Sequence, residues 1–270
     1  MLDAKKFGKR PADIVMLCES ERELSAVPQG WIFEQKLDGI RCLYIKGRLI
    51  NRLQRNITAD YPEIEIPRKD VVLDGELVIF NQQGISDFNL IQNHKNNKIP
   101  ATYVVFDVLE YCGKVLTSEA LKERRKLLPD SIKGSKNVQA ITDLAVPSWA
   151  EVKEKGYDGL IAKNPNSNYE FKRSKNWLKI KNFKEINGDI LEVAESESPN
   201  GFTINFKPDG NLPPQRVAVQ KPEVREAVVR ALEMGIFPRA KIQYFEITKE
   251  GRLRMPTFRE LYIDGETTLC

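Results

Sequence analysis

The chain has 270 residues, of which 41% are hydrophobic and 30% charged, and its formal net charge is +4. This composition is typical of a globular protein and excludes a mainly disordered chain, and the single histidine excludes a metal centre built from several histidines. No apolar stretch approaches the roughly 20 residues of a membrane-spanning helix, and the N-terminus, MLDAKKFGKRPADIVMLC, lacks the apolar core of a signal peptide. The four cysteines show no C-x-x-C spacing, so we expect free thiols, no zinc site and a cytoplasmic location (the host cytoplasm if the protein is viral).

Alternating and β-branched runs predict an α+β fold with mostly antiparallel strands in the first part of the chain. The predicted strands are Trp31–Lys36, Arg41–Ile45, Arg48–Asn51, Val71–Phe80, Tyr103–Leu109, Leu160–Lys163 and Trp177–Lys181. The second and third of these form a hairpin across Lys46-Gly47. The apolar spacing of Glu119–Leu128, followed by a proline, predicts a helix.

The composition shifts near residues 184–188, which predicts one domain at residues 1–186 and a second at residues 187–270. The second domain is predicted to contain strands Asp189–Glu195, Phe202–Lys207 and Arg216–Gln220, a helix from Pro222 to Gly235, and a last hairpin of Lys241–Thr248 and Arg252–Met255 across Lys249-Glu250-Gly251. Five strands with a helix between the third and the fourth suit a small OB-fold β-barrel. An unrelated β-rich cap is the alternative.

Five short motifs follow one another in the first domain. They are KLDGIR (Lys36–Arg41), DGE (Asp74–Glu76), FDVL (Phe106–Leu109), DGLIAK (Asp158–Lys163) and WLKIK (Trp177–Lys181). Each alone is compatible with a turn or a core strand, but together and in this order they resemble the motifs of ATP-dependent DNA ligases of bacterial and phage type, in the covalent nucleotidyltransferase superfamily. The resemblance covers residues 13–260, and it extends to the flanking segments 31–34, 61–63, 88–92 and 124–128.

The resemblance implies an antiparallel-sheet, ATP-grasp-like nucleotidyltransferase (adenylation) domain followed by an OB-fold domain. It implies an ATP-dependent DNA ligase that seals 3′-hydroxyl/5′-phosphate nicks in duplex DNA through a lysyl-AMP intermediate, with Mg²⁺ as the metal and Mn²⁺ as a substitute. We expect a monomer without a separate N-terminal DNA-binding domain or a long latch loop. Such a minimal enzyme would hold nicked DNA through salt-sensitive phosphate contacts.

By this resemblance, Lys36 is the nucleophile that attacks the α-phosphate and forms the lysyl-AMP bond. An unperturbed lysine with a pKa near 10.4 is only about 0.04% neutral at pH 7, so we expect nearby cations to lower this pKa. Lys179 and Lys181 are two residues apart in a predicted strand and therefore share one face. In the family these lysines bind the α-phosphate, and they would supply the cationic field.

Two carboxylates are implied as metal ligands, because Mg²⁺ prefers one or two carboxylates together with phosphate oxygens and waters. They are Glu76, which in the family also contacts the ribose, and Asp158. The family usually has glutamate at the second position, and a bridging water would compensate for the missing methylene of Asp158.

Phe106 is expected to stack on the adenine. Its neighbours Val104, Val105 and Val108 also suit a core role, and a ring can pack on one face while it stacks on the other. Glu34 lies two residues before the nucleophile and shares its strand face. In ligases this position recognises the adenine amino group, which favours ATP over GTP.

Three arginines are implied as contacts to nucleotide or DNA. Arg41 would reach the ribose or the DNA end, and Arg52 suits bidentate binding of the 5′-phosphate of a nick, although Asn51 replaces the usual serine. Arg173 and Ser174 match the RS pair that precedes the WLK motif in the family, whereas the glycine usually found just upstream is absent.

The second domain departs from the family at an Arg-x-Asp-Lys element, which orients pyrophosphate during self-adenylation. Only Asp264 fits this element, because the flanking arginine and lysine are absent. Arg252, Arg254 and Arg259 are candidates to replace them.

Three other functions are alternatives to the DNA ligase. An mRNA capping guanylyltransferase shares KxDGxR, and its fourth motif often begins with Asp-Gly, but Glu34 and the WLKIK motif after Arg173-Ser174 favour the ligase. An RNA-end ligase usually differs in the first motif. A non-enzymatic OB-type nucleic-acid binder would not need Lys36 together with two acidic motif residues.

Overall fold

The computed structural model describes residues 14–21, 23–195, 201–248 and 250–269. The N-terminal segment 1–13, Lys249 of the predicted last turn and the Cys270 thiol lie outside the described residues. The chain divides into two compact units, residues 1–181 and 182–270. This division precedes the predicted domain boundary at residues 186/187 by five residues (186 − 181). In the described ranges, no helix is both long and apolar enough to cross a membrane.

The first unit consists of many strands and a few short helices. Its strands are β1 (Leu17–Glu21), β2 (Ile32–Gln35), β3 (Ile40–Ile45), β4 (Arg48–Asn51), β5 (Val71–Val78), β6 (Thr102–Tyr111), β7 (Lys114–Val115), β8 (Val138–Ala140), β9 (Asp143–Leu144), β10 (Gly159–Lys163) and β11 (Arg173–Lys181). Its helices are α1 (Phe88–Gln92), α2 (His94–Asn97), α3 (Leu121–Arg125), α4 (Leu128–Ser131) and α5 (Trp149–Glu154), with short 3₁₀ turns at Leu24–Ala26 and Thr58–Asp60.

The described strands of this unit form two sheets. The first has the order β1-β11-β10-β2-β9, and the second has the order β4-β3-β5-β6-β7 with β8 beside β6. Most neighbours are antiparallel, as predicted, but β1 with β11 and β6 with β8 are parallel. Apolar residues of both sheets, among them Leu43, Phe106 and Trp177, share one buried cluster. This shared cluster places the two sheets face to face.

The predicted helix Glu119–Leu128 is wrong as one continuous element. The structure has two short helices, α3 and α4, and Pro129 lies in the first turn of α4 rather than after a helix. A proline lacks the backbone N–H and clashes in a helix interior, but it fits a first turn, so the helix restarts at this point.

The second unit contains β12 (Lys184–Glu195), β13 (Phe202–Pro208), β14 (Gln215–Val219), α6 (Pro222–Glu233), β15 (Arg239–Tyr244), β16 (Glu246–Ile247), β17 (Leu253–Arg254), β18 (Thr257–Ile263) and β19 (Glu266–Leu269). Its main sheet has the order β14-β13-β12-β15-β18-β19, and β16 pairs with β17. Helix α6 buries Val224, Val228 and Ala231, whereas Leu232 is only partly buried. The helix follows the third strand of the unit, as the sequence pattern predicts.

The predicted strand Lys241–Thr248 is interrupted after Tyr244, and only its end pairs in the predicted last hairpin. Strand β18 was not predicted because it does not alternate. Its buried residues Phe258 and Leu261 are three positions apart, since the pairing with β15 shifts at Lys241/Ile242. A bulge of this kind breaks the period of two on which strand prediction depends.

Candidate active site

A cleft of about 570 Å³ opens in the first unit. Its lining includes the predicted nucleophile and the predicted nucleotide contacts, namely Glu34, Lys36, Arg41, Arg52, Glu76, Phe106, Arg173, Lys179 and Lys181. Asp158 lies beside them, with its Oδ2 atom 3.8 Å from the Lys36 Nζ atom. The fold therefore brings the predicted site residues together at one cleft, with Asp158 beside its lining.

Lys36 directly follows β2, and its backbone N–H donates to the carbonyl oxygen of Gly159 at 2.9 Å. This bond ties the nucleophile loop to the start of β10. The Lys36 Nζ atom lies 3.9 Å from Asp38 Oδ1 and 3.8 Å from Asp158 Oδ2. The sequence predicts a cationic field around the lysine, whereas the structure also places two carboxylates within 4 Å of it. Asp38 is a site residue to which the sequence reasoning assigned no role.

Two motif glycines are required by close packing. A Cβ atom on Gly39 would lie 2.2 Å from the carbonyl oxygen of Leu77, and one on Gly75 would lie 2.6 Å from the ring of Tyr103. Either contact is far inside van der Waals distance, so a side chain would force the neighbouring strands apart. The glycines of KLDGIR and DGE therefore allow β3, β5 and β6 to approach closely beneath the cleft.

Strand β11 presents three cleft residues on one face. Trp177, Lys179 and Lys181 alternate along the strand, and all three line the cleft. Lys179 is paired with Ile161 of β10 and with Ser20 of β1, so it lies on an interior strand of the first sheet. Side chains on a strand alternate between faces, which explains why the WLKIK pattern directs both lysines to the same side.

Glu76 on β5 is paired with Arg41 on the neighbouring strand β3. Burial raises the pKa of Glu76 to about 7, although the positive charges of Arg41 and Lys36 oppose this effect. A carboxylate with this pKa changes charge near neutral pH, and a bound cation would favour its ionised form.

The donor set of the cleft fits Mg²⁺ that arrives with a nucleotide. The described residues contain no group of three or more metal-ligating His, Cys, Asp or Glu side chains. Mg²⁺ does not need such a cage, because it takes one or two carboxylates and completes its shell with phosphate oxygens and waters. Glu76 in the cleft lining and Asp158 at 3.8 Å from Lys36 Nζ supply hard oxygens of the required type.

Glu34 is almost fully buried, with 2% of its surface exposed, and two cations contact its carboxylate. Its Oε2 atom lies 2.7 Å from Lys163 Nζ, and its Oε1 atom lies 3.2 Å from Arg125 Nη1. Arg125 in turn contacts Asp143 at 2.6 Å. The prediction assigns Glu34 to the adenine amino group, and the structure shows in addition that it is one member of a buried charge network.

Phe106 is 7% exposed, so it belongs to the core and also lines the cleft. The Lys163 Nζ atom lies 4.2 Å from the centroid of its ring and 4.1 Å from that of Trp177. Burial lowers the pKa of the Lys163 ammonium, while the Glu34 carboxylate acts in the opposite direction. The sequence contains Lys163 as the last residue of DGLIAK, but nothing in it indicates these partners.

Arg41 is held by a second buried network. Its Nε and Nη2 atoms donate to the two carboxylate oxygens of Asp74 at 2.8 and 2.6 Å, and Nη2 also donates to the carbonyl oxygen of Met16 at 3.1 Å. The Tyr169 hydroxyl donates to Asp74 Oδ2 at 2.6 Å. Asp74 is completely buried. Neither Asp74 nor Tyr169 was given a role from the sequence.

Arg52 and Arg173 lie at exposed positions of the cleft lining. Arg52 follows β4 directly, and Arg173 begins β11, where its Nη1 atom donates to the carbonyl oxygen of Cys18. Exposed cations at the rim of a cleft are suited to phosphate groups of an extended polymer.

The arginines considered for the missing pyrophosphate element lie in the second unit. Arg254 contacts Glu246 at 2.6 Å, and Arg259 donates to Gln243 through Nε at 3.1 Å. Asp264 is exposed in the turn before β19, with a φ of 52°. None of the three is assigned a role by these local contacts.

Residues 15–181 match the family model described as the ATP dependent DNA ligase domain. The SPbeta prophage-derived DNA ligase-like protein LigB of Bacillus subtilis is 28% identical over 252 residues, which cover 85% of this chain and 92% of that protein. DNA ligase 2 of Methanosarcina mazei is 34% identical over 194 residues, or 60% of this chain. The multifunctional non-homologous end joining DNA repair protein LigD of Mycobacterium tuberculosis is 31% identical over 172 residues, or 57% of this chain. The matches span 34% of DNA ligase 2 and 22% of LigD.

Solved structures show the same fold. The ligase domain of M. tuberculosis LigD superimposes with a TM-score of 0.59 at 24% identity, covering 92% of this chain and 94% of that domain. A Lig E DNA ligase superimposes with a TM-score of 0.64 at 15% identity, covering 93% of this chain and 99% of the other. The predicted resemblance and the strand-rich nucleotidyltransferase fold are thereby confirmed, while the OB-fold assignment of the second unit stays a prediction.

Proposed function

The chain belongs to the ATP-dependent DNA ligase domain family, and from this premise we propose that it seals 3′-hydroxyl/5′-phosphate nicks in duplex DNA through an AMP adduct on Lys36. The observation that carries the proposal is the cleft itself. It gathers one lysine nucleophile, two strand lysines on one face and the acidic motif residues, although these come from separate motifs.

The first step is the transfer of AMP to Lys36. Its ammonium must first lose a proton, and two carboxylate oxygens lie nearby, Asp38 Oδ1 at 3.9 Å and Asp158 Oδ2 at 3.8 Å. The neutral amine then attacks the α-phosphorus of ATP, an N–P bond forms, and the bond from the α-phosphorus to the bridging oxygen breaks. Pyrophosphate leaves with the electron pair. Lys179 and Lys181 would bind the α-phosphate, whose charge is spread over its oxygens in the transition state.

Two further steps use the same cleft. An oxygen of the 5′-phosphate at the nick attacks the phosphorus of AMP, and the N–P bond to Lys36 breaks. The 3′-hydroxyl then attacks the 5′-phosphorus, the phosphodiester forms, and AMP leaves. Arg52 and Arg173 at the rim are our candidates for the contacts to the DNA phosphates.

Glu76 and Asp158 would hold the Mg²⁺ ion. When bound, the metal neutralises phosphate charge and helps to orient the polyphosphate. Phe106 would stack on the adenine, and Glu34 would read its amino group from within the network with Lys163 and Arg125.

We also propose that residues 1–186 form the adenylation domain and residues 187–270 an OB-fold domain. The support is the order β14-β13-β12-β15-β18 with α6 after the third strand, which is the arrangement expected of an OB barrel. A monomer that binds nicked duplex DNA, and a reducing cytoplasmic location, complete the proposal. The free thiols of Cys18, Cys42 and Cys112 support the reducing compartment.

The test uses α-labelled ATP and α-labelled GTP with the full chain and Mg²⁺. We expect a covalent AMP adduct that is absent in Lys36→Ala. The same variant should still seal, slowly, a nick that carries AMP on its 5′-phosphate, because the last step needs no lysine nucleophile. A GMP adduct would indicate a capping guanylyltransferase, and an adduct that persists in Lys36→Ala would refute the assignment of the nucleophile.

A further inference from the structure

The network around Asp74 connects the two sheets of the first unit beneath the cleft. Arg41 lies on β3 and Asp74 on β5, both in the second sheet. Met16 directly precedes β1 and Tyr169 precedes β11, and both of these strands belong to the first sheet. Each hydrogen bond between this pair and Arg41 or Asp74 therefore links a segment that leads into the first sheet to a strand of the second sheet.

Tyr169 is the centre of this connection. Its hydroxyl donates to Asp74 Oδ2 at 2.6 Å and accepts the backbone N–H of Met16 at 3.0 Å. Burial raises the pKa of this hydroxyl well above its ordinary value, so it stays protonated and donates at physiological pH. The ring is 4% exposed and packs edge-on against Phe171 and Trp177. The hydroxyl is thus fixed on both of its sides.

The network leaves one edge of the Arg41 guanidinium available. Its Nε and Nη2 atoms are used by Asp74 and Met16, whereas Nη1 makes no hydrogen bond to any residue that the structure describes. The side chain retains 13% exposure and lines the cleft, with its Cζ atom 4.8 Å from the centroid of the Phe106 ring. A guanidinium held at two nitrogens can present the third in a fixed direction.

We propose that Tyr169 is a positioning residue that acts through Asp74 to fix the direction in which Arg41 meets the bound nucleotide. The inference rests on the proposed function, since it assigns Tyr169 to the adenylation step in the same cleft. Pre-organisation of this kind matters because a misplacement of about 1 Å can cost about 10²-fold in rate. The hydroxyl should therefore affect the rate through Arg41 and not through the fold alone.

The experiment is a double-mutant cycle on the full chain with Tyr169→Phe and Arg41→Lys. Removing the hydroxyl keeps the ring, and loss of a hydrogen bond to a charged group should lower kcat/KM for self-adenylation about tenfold. In the Arg41→Lys background, Tyr169→Phe should have less than about a twofold further effect, because the group that it positions is already altered. Additive effects, or wild-type kinetics in Tyr169→Phe, would overturn the inference.

Tyr44→Phe is the matched control. Tyr44 is 5% exposed, and its hydroxyl contacts the carbonyl oxygens of Ile66 and Arg68 on the side of β3 that faces away from the shared cluster. It should lower the melting temperature about as much as Tyr169→Phe and leave adenylation unchanged. Equal losses of adenylation in both tyrosine variants would show a merely structural role.

If Tyr169→Phe does not fold, Asp74→Asn replaces it in the cycle, with the same expected lack of additivity. A wild-type chain that forms no adenylate would overturn the proposed function, and this inference with it. A wild-type chain that forms the adenylate while the cycle is additive would overturn the positioning role alone.

Discussion

Arg41 and Arg124 hold aspartates with nearly the same geometry in two regions of the first unit. Arg41 donates to Asp74 through Nε at 2.8 Å and Nη2 at 2.6 Å, and Arg124 donates to Asp107 through the same atoms at 2.8 and 2.6 Å. The two regions differ in what happens to the third nitrogen. Arg124 Nη1 donates to the carbonyl oxygens of Glu119 and Ser167 at 2.6 and 3.1 Å, and both members of this pair are completely buried.

The difference separates an arginine used by the fold from one available to a ligand. Each of the three guanidinium nitrogens of Arg124 donates to the protein, so the pair joins α3 to β6 and to the segment before β11. Arg41 keeps one edge toward a cleft. A bidentate arginine–aspartate pair in a motif therefore does not show by itself whether the arginine stabilises the fold or binds a ligand. The two roles are distinguished by whether the third guanidinium nitrogen donates to the protein.

The largest effect is expected for Arg124→Lys. A lysine keeps the charge but cannot reach both carboxylate oxygens and both carbonyl oxygens, so at least two buried acceptors lose their donor. Each such loss costs about 1–3 kcal/mol, and we expect the free energy of unfolding to fall by about 3 kcal/mol or more. Chemical denaturation measures this change.

Adenylation per folded molecule should stay within about twofold of wild type in Arg124→Lys, because neither Arg124 nor Asp107 lines the cleft. If Arg124→Lys were stable but adenylated much more slowly, the contrast between the two arginines would be wrong, since Arg124 would then behave as we expect of Arg41.

The same substitution in the other pair should give the opposite result. In Arg41→Lys, Asp74 keeps its hydrogen bond from Tyr169, so we expect a loss of stability less than half of that in Arg124→Lys. The planar fork that presents Nη1 is lost, and the rate of adenylation should fall about 10²-fold. Single-turnover kinetics at saturating ATP measures this rate. An Arg41→Lys protein that adenylates at the wild-type rate would contradict the assignment of Arg41 to ligand binding.

The pH dependence of stability should also differ between the two regions, through Glu76 next to Arg41. The pKa of Glu76 rises from 4.5 in the unfolded chain to about 7 in the folded protein, chiefly because of burial. Between these pH values the folded state binds more protons than the unfolded state, so the free energy of unfolding falls as the pH rises through this window. With allowance for partial exposure, we expect a decrease of about 1–2 kcal/mol.

Urea denaturation from pH 4.5 to 8 with a chelator present measures this decrease, and Glu76→Gln should flatten the profile between pH 4.5 and about 7. Glu154→Gln is the control, because Glu154 is an exposed carboxylate at the end of α5. A profile that Glu76→Gln does not change would show that another group controls the pH dependence in this range.

Much of the fold follows from local patterns in the sequence. The alternation of residues 31–36 and the β-branched run of residues 71–80 predict β2 and β5 close to their observed bounds, and the turn at Lys46-Gly47 predicts the hairpin of β3 and β4. Strand β1 has no such pattern, because its sequence, LCESE, pairs polar residues with a parallel neighbour. Strand β18 was missed because a bulge breaks its alternation, and the helix around Arg124 was predicted as one element although a proline restarts it.

The site could be predicted only as far as its motifs reach. Motif order places Lys36, Glu76 and Lys179 in one cleft, because these residue types recur together in a known family. The partners that hold them are distant in sequence and carry no local signal. Tyr169 lies 95 residues from Asp74, and nothing in the residues around it indicates a buried hydroxyl bonded to that carboxylate. Long-range pairing of this kind is decided by the packing of two sheets.

The smallest effect is expected for Lys126→Gln, two residues after Arg124. Lys126 Nζ lies 2.7 Å from Glu123 Oε2, and the two side chains are 68% and 46% exposed. This hydrogen bond lowers the pKa of Glu123, so the charges do interact, but water and salt screen an exposed pair and the two side chains lose freedom when they join. We expect no measurable change in the urea midpoint at low or at high salt. A loss of stability close to that of Arg124→Lys would mean that the charge of this run of basic residues stabilises the region, rather than the burial and hydrogen bonds of Arg124. The contrast between Arg41 and Arg124 would then need another explanation.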